Sequence, residues 1–148
     1  MTLNKVSLFI FSVLIVFILV SCKKQELTIK IGFLGPMTGD SANYGTLMSQ
    51  AVRLAIDERN KAGGIDGKIK FQMIVEDDEG KVDKANLVIE KLANIDHIMG
   101  LVGAVFSSCS LAIAPKCEQN QITMISPSST HKLLTSLGKY IFRNVLSD

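Results

Sequence analysis

Short apolar runs alternate with helical patterns along this chain, and that alternation leaves few folds open. The runs at Thr28–Leu34, Ile69–Val75, Ile98–Val102 and Ile122–Ile125 have strand length and composition. Between the first two, a helix from about Ser41 or Ala42 to Lys61 sets Met48, Ala51, Val52, Ala55 and Ile56 on one face, and Gly63 and Gly64 stop it. Between the second and third, Lys81–Asn94 repeats the spacing with Ala85, Val88, Ile89, Leu92 and Ala93. A third helix follows Ser107 and Ser108, with Pro115 in its middle, where a kink is expected. A strand that reaches its neighbour through a helix pairs with it in parallel. The fold class expected is therefore α/β: a three-layer αβα sandwich whose parallel sheet carries helices on both faces. The first strand should lie between the second and third. His131–Gly138 reads as a short helix and Tyr140–Arg143 as a last short strand.

In a parallel sheet the carboxyl ends of neighbouring strands share one edge, where ligands bind. Two of those ends carry small hydroxyl residues. The third strand runs out through Gly103 into Ser107 and Ser108. The fourth ends in Ser126, Pro127, Ser128, Ser129 and Thr130. Ser107 and Ser128–Thr130 should converge on one cleft. A serine at the start of the third helix also stands where free N–H groups and the helix dipole favour an anion such as a carboxylate. The competing reading makes these residues ordinary caps and turns.

Asn4 and Lys5 precede an unbroken run of mostly large apolar residues, Val6–Val20. It is short for a membrane span and right for a secretory leader. The run ends Leu19, Val20, Ser21, Cys22, which resembles the lipobox of bacterial lipoproteins, in which the cysteine is lipidated. An uncleaved signal anchor is the alternative. Residues 1–21 are thus expected to be a lipoprotein signal peptide and 22–27 a polar tether. Cys109 and Cys117 stand eight residues apart on one helix, roughly 12 Å along its axis, beyond disulfide reach. They read as buried thiols.

Balanced charge, +2 overall, gives no case for nucleic acid. The loop GPMTGDSANYG lacks the lysine of a phosphate loop. Glu76, Asp77, Asp78 and Glu79 read as a helix N-cap and solvated turn in preference to a cation site or phosphoacceptor. There is no GxSxG, and His97 and His131 have no carboxylate at ligand spacing. No catalytic residue, metal or cofactor is expected.

Six motifs in order, IKIGFLGPMTGDSANYG, NKAGGIDGK, VEDDEG, SSCSLAIAP, ISPSST and FRN, cover Ile29–Asp148. Together they resemble the branched-chain amino-acid (leucine/isoleucine/valine) binding proteins, type I periplasmic binding proteins that feed ABC importers. The resemblance implies that residues 28–148 form an N-terminal lobe, incomplete by the family's standard of two. It implies that Ser107 holds a ligand carboxylate by hydroxyl and backbone N–H. Ser128 would offer its carbonyl and Thr130 its hydroxyl. Ser129 would line the same loop, and Tyr44 would pack over the ligand. The implied partners are a small-molecule amino acid, a transporter permease, the membrane through a lipid anchor, and a separate second lobe. The implied location is outside the cytoplasm. Some members join the loops after the second and third strands by a disulfide; here those positions are Gly80 and Phe106. A ligand-sensing module of a signalling receptor is the runner-up reading, and an α/β enzyme the third.

Overall fold

A computed structural model describes residues 27–148. The expected signal peptide, Cys22 and the tether up to Glu26 lie outside the described residues. Strand β1 (Leu27–Gly35) starts one residue before the expected boundary, so Leu27 belongs to the sheet. There follow α1 (Ala42–Lys61), β2 (Ile69–Asp77), α2 (Val82–Asn94), β3 (Gly100–Gly103), α3 (Ser107–Gln119), β4 (Thr123–Ser126), a 3₁₀ turn at Leu134–Ser136 and β5 (Ile141–Arg143). The strands form one sheet in the order β2-β1-β3-β4-β5, and every pair is parallel. β1 lies between β2 and β3, as expected, and the helix in each connection accords with the parallel pairing. α3 runs on through Pro115 without interruption.

Burial is unequal on the two faces. Ala85, Ile89 and Leu92 of α2 and Cys109, Ile113, Ala114 and Cys117 of α3 pack on Leu34, Leu101, Met124 and Ile141, all nearly sealed from water. Alternation along each strand gives one face to this core. The other face carries Ile31, Phe71, Val102, Ile125 and Phe142 and meets only α1 among the described helices. α1 buries just Gly45 and Ser49. Its expected apolar stripe is half covered: Met48, Val52 and Ile56 are half-buried, and Ala51 and Ala55 are exposed. Ile125 and Phe142 remain 41% and 47% exposed. The concavities beside α1, lined by Ile31, Val52, Val102 and Ile125, belong to this open apolar face.

The edge of β2 is capped by a side chain. Asn60, near the end of α1, donates its amide N–H to the Phe71 carbonyl and accepts the Phe71 N–H, both at 2.8 Å. One primary amide thus mimics a neighbouring strand for one residue pair, which blunts an edge otherwise open to pairing.

Candidate ligand-binding edge

Parallel pairing of β3 with β4 brings Gly103 and Ser126 to the same edge of the sheet. From Gly103 the chain turns through Ala104, Val105 and Phe106 into α3. Phe106 is the N-cap, in extended backbone (φ −92°, ψ 144°), and no side chain caps the helix. The first amide to return within the helix is that of Ser110, to the Phe106 carbonyl at 2.9 Å. The N–H groups of Ser107, Ser108 and Cys109 precede that bond and have no acceptor within the helix. Ser107 is half-buried and Ser108 exposed. Backbone donors and the positive end of the helix dipole therefore meet at Ser107, the arrangement that accepts a carboxylate.

The loop after β4 is laced to the loop after β3 by hydroxyls. Ser128 donates to the Val105 carbonyl at 2.6 Å. Beneath it lies a buried cluster. Ser126 and Ser110 donate to the Ala104 carbonyl at 2.7 and 2.9 Å. Ser129 Oγ lies 2.7 Å from each of those two hydroxyls, and its N–H donates to Ser126 Oγ at 3.1 Å. Ser110, Ser126 and Ser129 are each fully buried. Ser129 was expected to line the ligand loop. Its side chain instead points inward and holds the loop from below, because its hydroxyl finds buried partners that a solvent-facing rotamer would leave unpaired.

Ser128 and Thr130, which flank Ser129, stay half-buried at the surface. Thr130 Oγ1 donates to Asp148 Oδ2 at 2.7 Å. The Thr130 carbonyl accepts from Arg143 at 3.1 Å and from the Asp148 N–H at 3.1 Å. Tyr44, in the first turn of α1, is 60% exposed. Its ring meets Phe106 edge to face, with centroids 6.4 Å apart at 64°. Ser107, Ser128 and Thr130 thus sit on adjoining loops of one edge, and Tyr44 joins them through Phe106. Phe106 stands one residue before Ser107, at the position where, by the resemblance, some family members carry a disulfide to the Gly80 position.

The acidic run does not cap α2. The N-cap there is Lys81, without a side-chain cap. Asp77 clamps two loops: Oδ1 accepts the N–H groups of Met37 and Glu79 at 2.8 Å each, and Oδ2 accepts the Thr38 hydroxyl at 2.5 Å. Asp78 is fully buried. Its Oδ1 accepts the Gly80 N–H at 2.8 Å, and its Oδ2 has no partner. Burial pushes the Asp78 carboxyl above its ordinary range; the neighbouring Asp77 charge adds to that, and the Gly80 hydrogen bond opposes it. Glu79 pairs with Lys81 and Lys84. Burial raises the Cys109 thiol to about 11, with a further push from Asp78, and raises Cys117 to about 12. Both thiols are free. Among the described residues no three His, Cys, Asp or Glu side chains are placed to hold a metal ion.

Residues 28–145 match the family model described as periplasmic binding protein. The chain is 37% identical over 119 residues to a leucine-, isoleucine-, valine-, threonine- and alanine-binding protein of Pseudomonas aeruginosa, covering 80% of this chain and 31% of the relative. It superposes on a branched-chain amino acid transporter substrate-binding protein of Streptococcus pneumoniae, solved in complex with isoleucine. The TM-score is 0.76 at 33% identity, over 81% of this chain and 34% of that one. A solute-binding protein of an ABC transporter from Rhodopseudomonas palustris, solved with 3,4-dihydroxybenzoic acid, gives a TM-score of 0.73 at 26% identity, over 81% of this chain and 32% of that one. The chain spans about a third of the length of the relatives it matches. The helix terminus and the hydroxyl loop lie side by side on one edge of a parallel sheet, and the chain belongs to the periplasmic binding protein family.

Proposed function

We propose that this chain forms the first lobe of an extracytoplasmic amino-acid-binding protein that delivers its ligand to an ABC importer. The observation that carries this reading is the placement of Ser107 at the uncapped start of α3, beside a loop that presents Ser128 and Thr130. The free amides and the Ser107 hydroxyl take the ligand carboxylate. The Ser128 carbonyl takes the ammonium, and the Thr130 hydroxyl completes the ring of contacts by turning from Asp148 to the ligand. Tyr44 covers the bound molecule. Relatives named for leucine, isoleucine and valine support an aliphatic α-amino acid as the ligand.

The rest of the reading concerns the remainder of the system. Residues 1–21 are a lipoprotein signal peptide and Cys22 carries the lipid that tethers the lobe to the membrane. Residues 28–148 are an N-terminal lobe, and a second lobe closes over the ligand. A permease receives the ligand from the closed pair. No step of covalent chemistry is involved.

Calorimetric titration with a panel of amino acids tests the site. An open lobe leaves water at every hydrogen bond, and each such bond is worth about 1.5–3 kcal/mol only when charged and dry. Affinity of the lobe alone should be about millimolar, and a second lobe supplied in trans should tighten it. In that closed pair Ser107→Ala and Thr130→Ala should each weaken binding about tenfold or more. Binding indifferent to both changes would refute the site. For the anchor, a Cys22→Ala chain that still partitions with membranes would count against lipidation.

A further inference from the structure

Asp78 is sealed from water, and its Oδ2 has no partner. An acid buried this way is costly to ionise, and the groups packed round it bring no relief. β1 offers the Gly35 carbonyl, which takes the Asp78 N–H at 3.2 Å. β2 offers the like charge of Asp77 and Glu76, which is paired with Lys91. The turn offers Glu79, paired with Lys81 and Lys84. α2 offers Asp83 in its first turn. α3 offers the Cys109 thiol, which feels the Asp78 charge and holds its proton up to about 11. Among the described residues no cation pairs with Asp78. Two links tie this acid to the ligand edge. Its Oδ1 accepts the Gly80 N–H at 2.8 Å, and Gly80 lies under the Phe106 ring: a Cβ built there would stand 3.0 and 3.2 Å from two ring carbons. Phe106 is the N-cap of α3, and Cys109 belongs to its first turn.

We propose that Asp78 is a proton-linked switch of the ligand edge: while its buried carboxyl is neutral, the N-terminus of α3 takes the carboxylate of an amino acid more tightly than when that carboxyl is charged. This rests on the binding reading above. The positive end of α3 serves both acids, Asp78 from inside the protein and the ligand from the open side at Ser107. Their like charges oppose each other, so bound ligand disfavours ionisation of Asp78, and ionisation disfavours the ligand to the same degree. Affinity is therefore full below the titration of Asp78, falls as pH rises through it, and is level above. Burial sets that titration higher than the ordinary 3.8.

Carbon-13 NMR of the Asp78 carboxyl in the full chain follows its titration between about pH 4 and 8, without leucine and with leucine near saturation. Leucine should raise the midpoint by about half a pH unit, and leucine affinity should fall about threefold over the same span, since the two effects are one linkage. Asp78→Asn keeps an acceptor for Gly80 and should bind leucine without that step. A midpoint unmoved by bound leucine would overturn the switch and leave the binding reading standing. A step that persists in Asp78→Asn would do the same, and would assign the proton to another group of the edge such as His131 or Asp148, which lie beside and against Thr130. If Asp78→Asn does not fold, the wild-type midpoint carries the test alone. No response from wild type to leucine at any pH would overturn both readings.

Discussion

Replacing Ser126 by alanine removes the hub of the buried hydroxyl cluster. Its Oγ donates to the Ala104 carbonyl at 2.7 Å and accepts the Ser129 N–H at 3.1 Å, with no exposure to water. The Ala104 carbonyl keeps a donor after the change, because Ser110 also donates to it at 2.9 Å. The Ser129 N–H does not keep its acceptor. One buried amide left without a partner costs about 1–3 kcal/mol. The lost hydroxyl also deprives Ser129 Oγ of one of two contacts at 2.7 Å. Ser126→Ala should therefore cost about 2–3 kcal/mol. Ser110→Ala orphans no backbone group and should cost about 1 kcal/mol. The double change should cost more than the sum, since each single change leaves the Ala104 carbonyl one donor and the two together leave it none. Urea unfolding followed by circular dichroism measures all three as shifts in midpoint at constant slope. A Ser126→Ala cost no larger than that of Ser110→Ala would show that the orphaned Ser129 amide finds another acceptor, and the reasoning would fail.

Gly45→Ala would set a Cβ 2.1 Å from the Pro36 carbonyl oxygen, and backbone there cannot swing aside; urea unfolding should show a loss of about 1–3 kcal/mol, as overpacking does. Asp78 binds its proton more tightly folded than unfolded, so its charge costs stability that is recovered as pH falls through the raised folded value. The stability of wild type relative to Asp78→Asn, which keeps an acceptor for Gly80, should therefore worsen as pH rises from 3.8; a difference flat with pH in urea melts would contradict this. Cys109 and Cys117, buried with thiols raised to about 11 and about 12, should resist a disulfide reagent in the native state and react on unfolding. Fast native modification of either would show that α3 opens.

What the sequence determined by itself was the order and direction of the sheet. Local periodicity made each strand and helix legible, and a helix in every connection forces parallel neighbours. The meeting of Ser107 with Ser128 and Thr130 followed from the same logic, because adjoining parallel strands deliver their ends to one edge. Tertiary structure alone decided which serines face the ligand edge. Ser126, Ser128 and Ser129 look alike in SPSS, but only the depth of β4 and the nearness of Ser110 and Ala104 sort buried hydroxyls from open ones. It also decided the acids. Asp77 and Asp78 read as a cap for the following helix, yet Asp77 serves a loop 40 residues earlier, since parallel pairing sets Gly35 opposite Asp77. The apolar stripe of α1 was legible as a pattern, but its covering was not, because burial depends on what lies beside a helix. Phe106 acquires its place from two contacts, with Gly80 and Tyr44, that lie far apart in the chain and that only the folded sheet brings together.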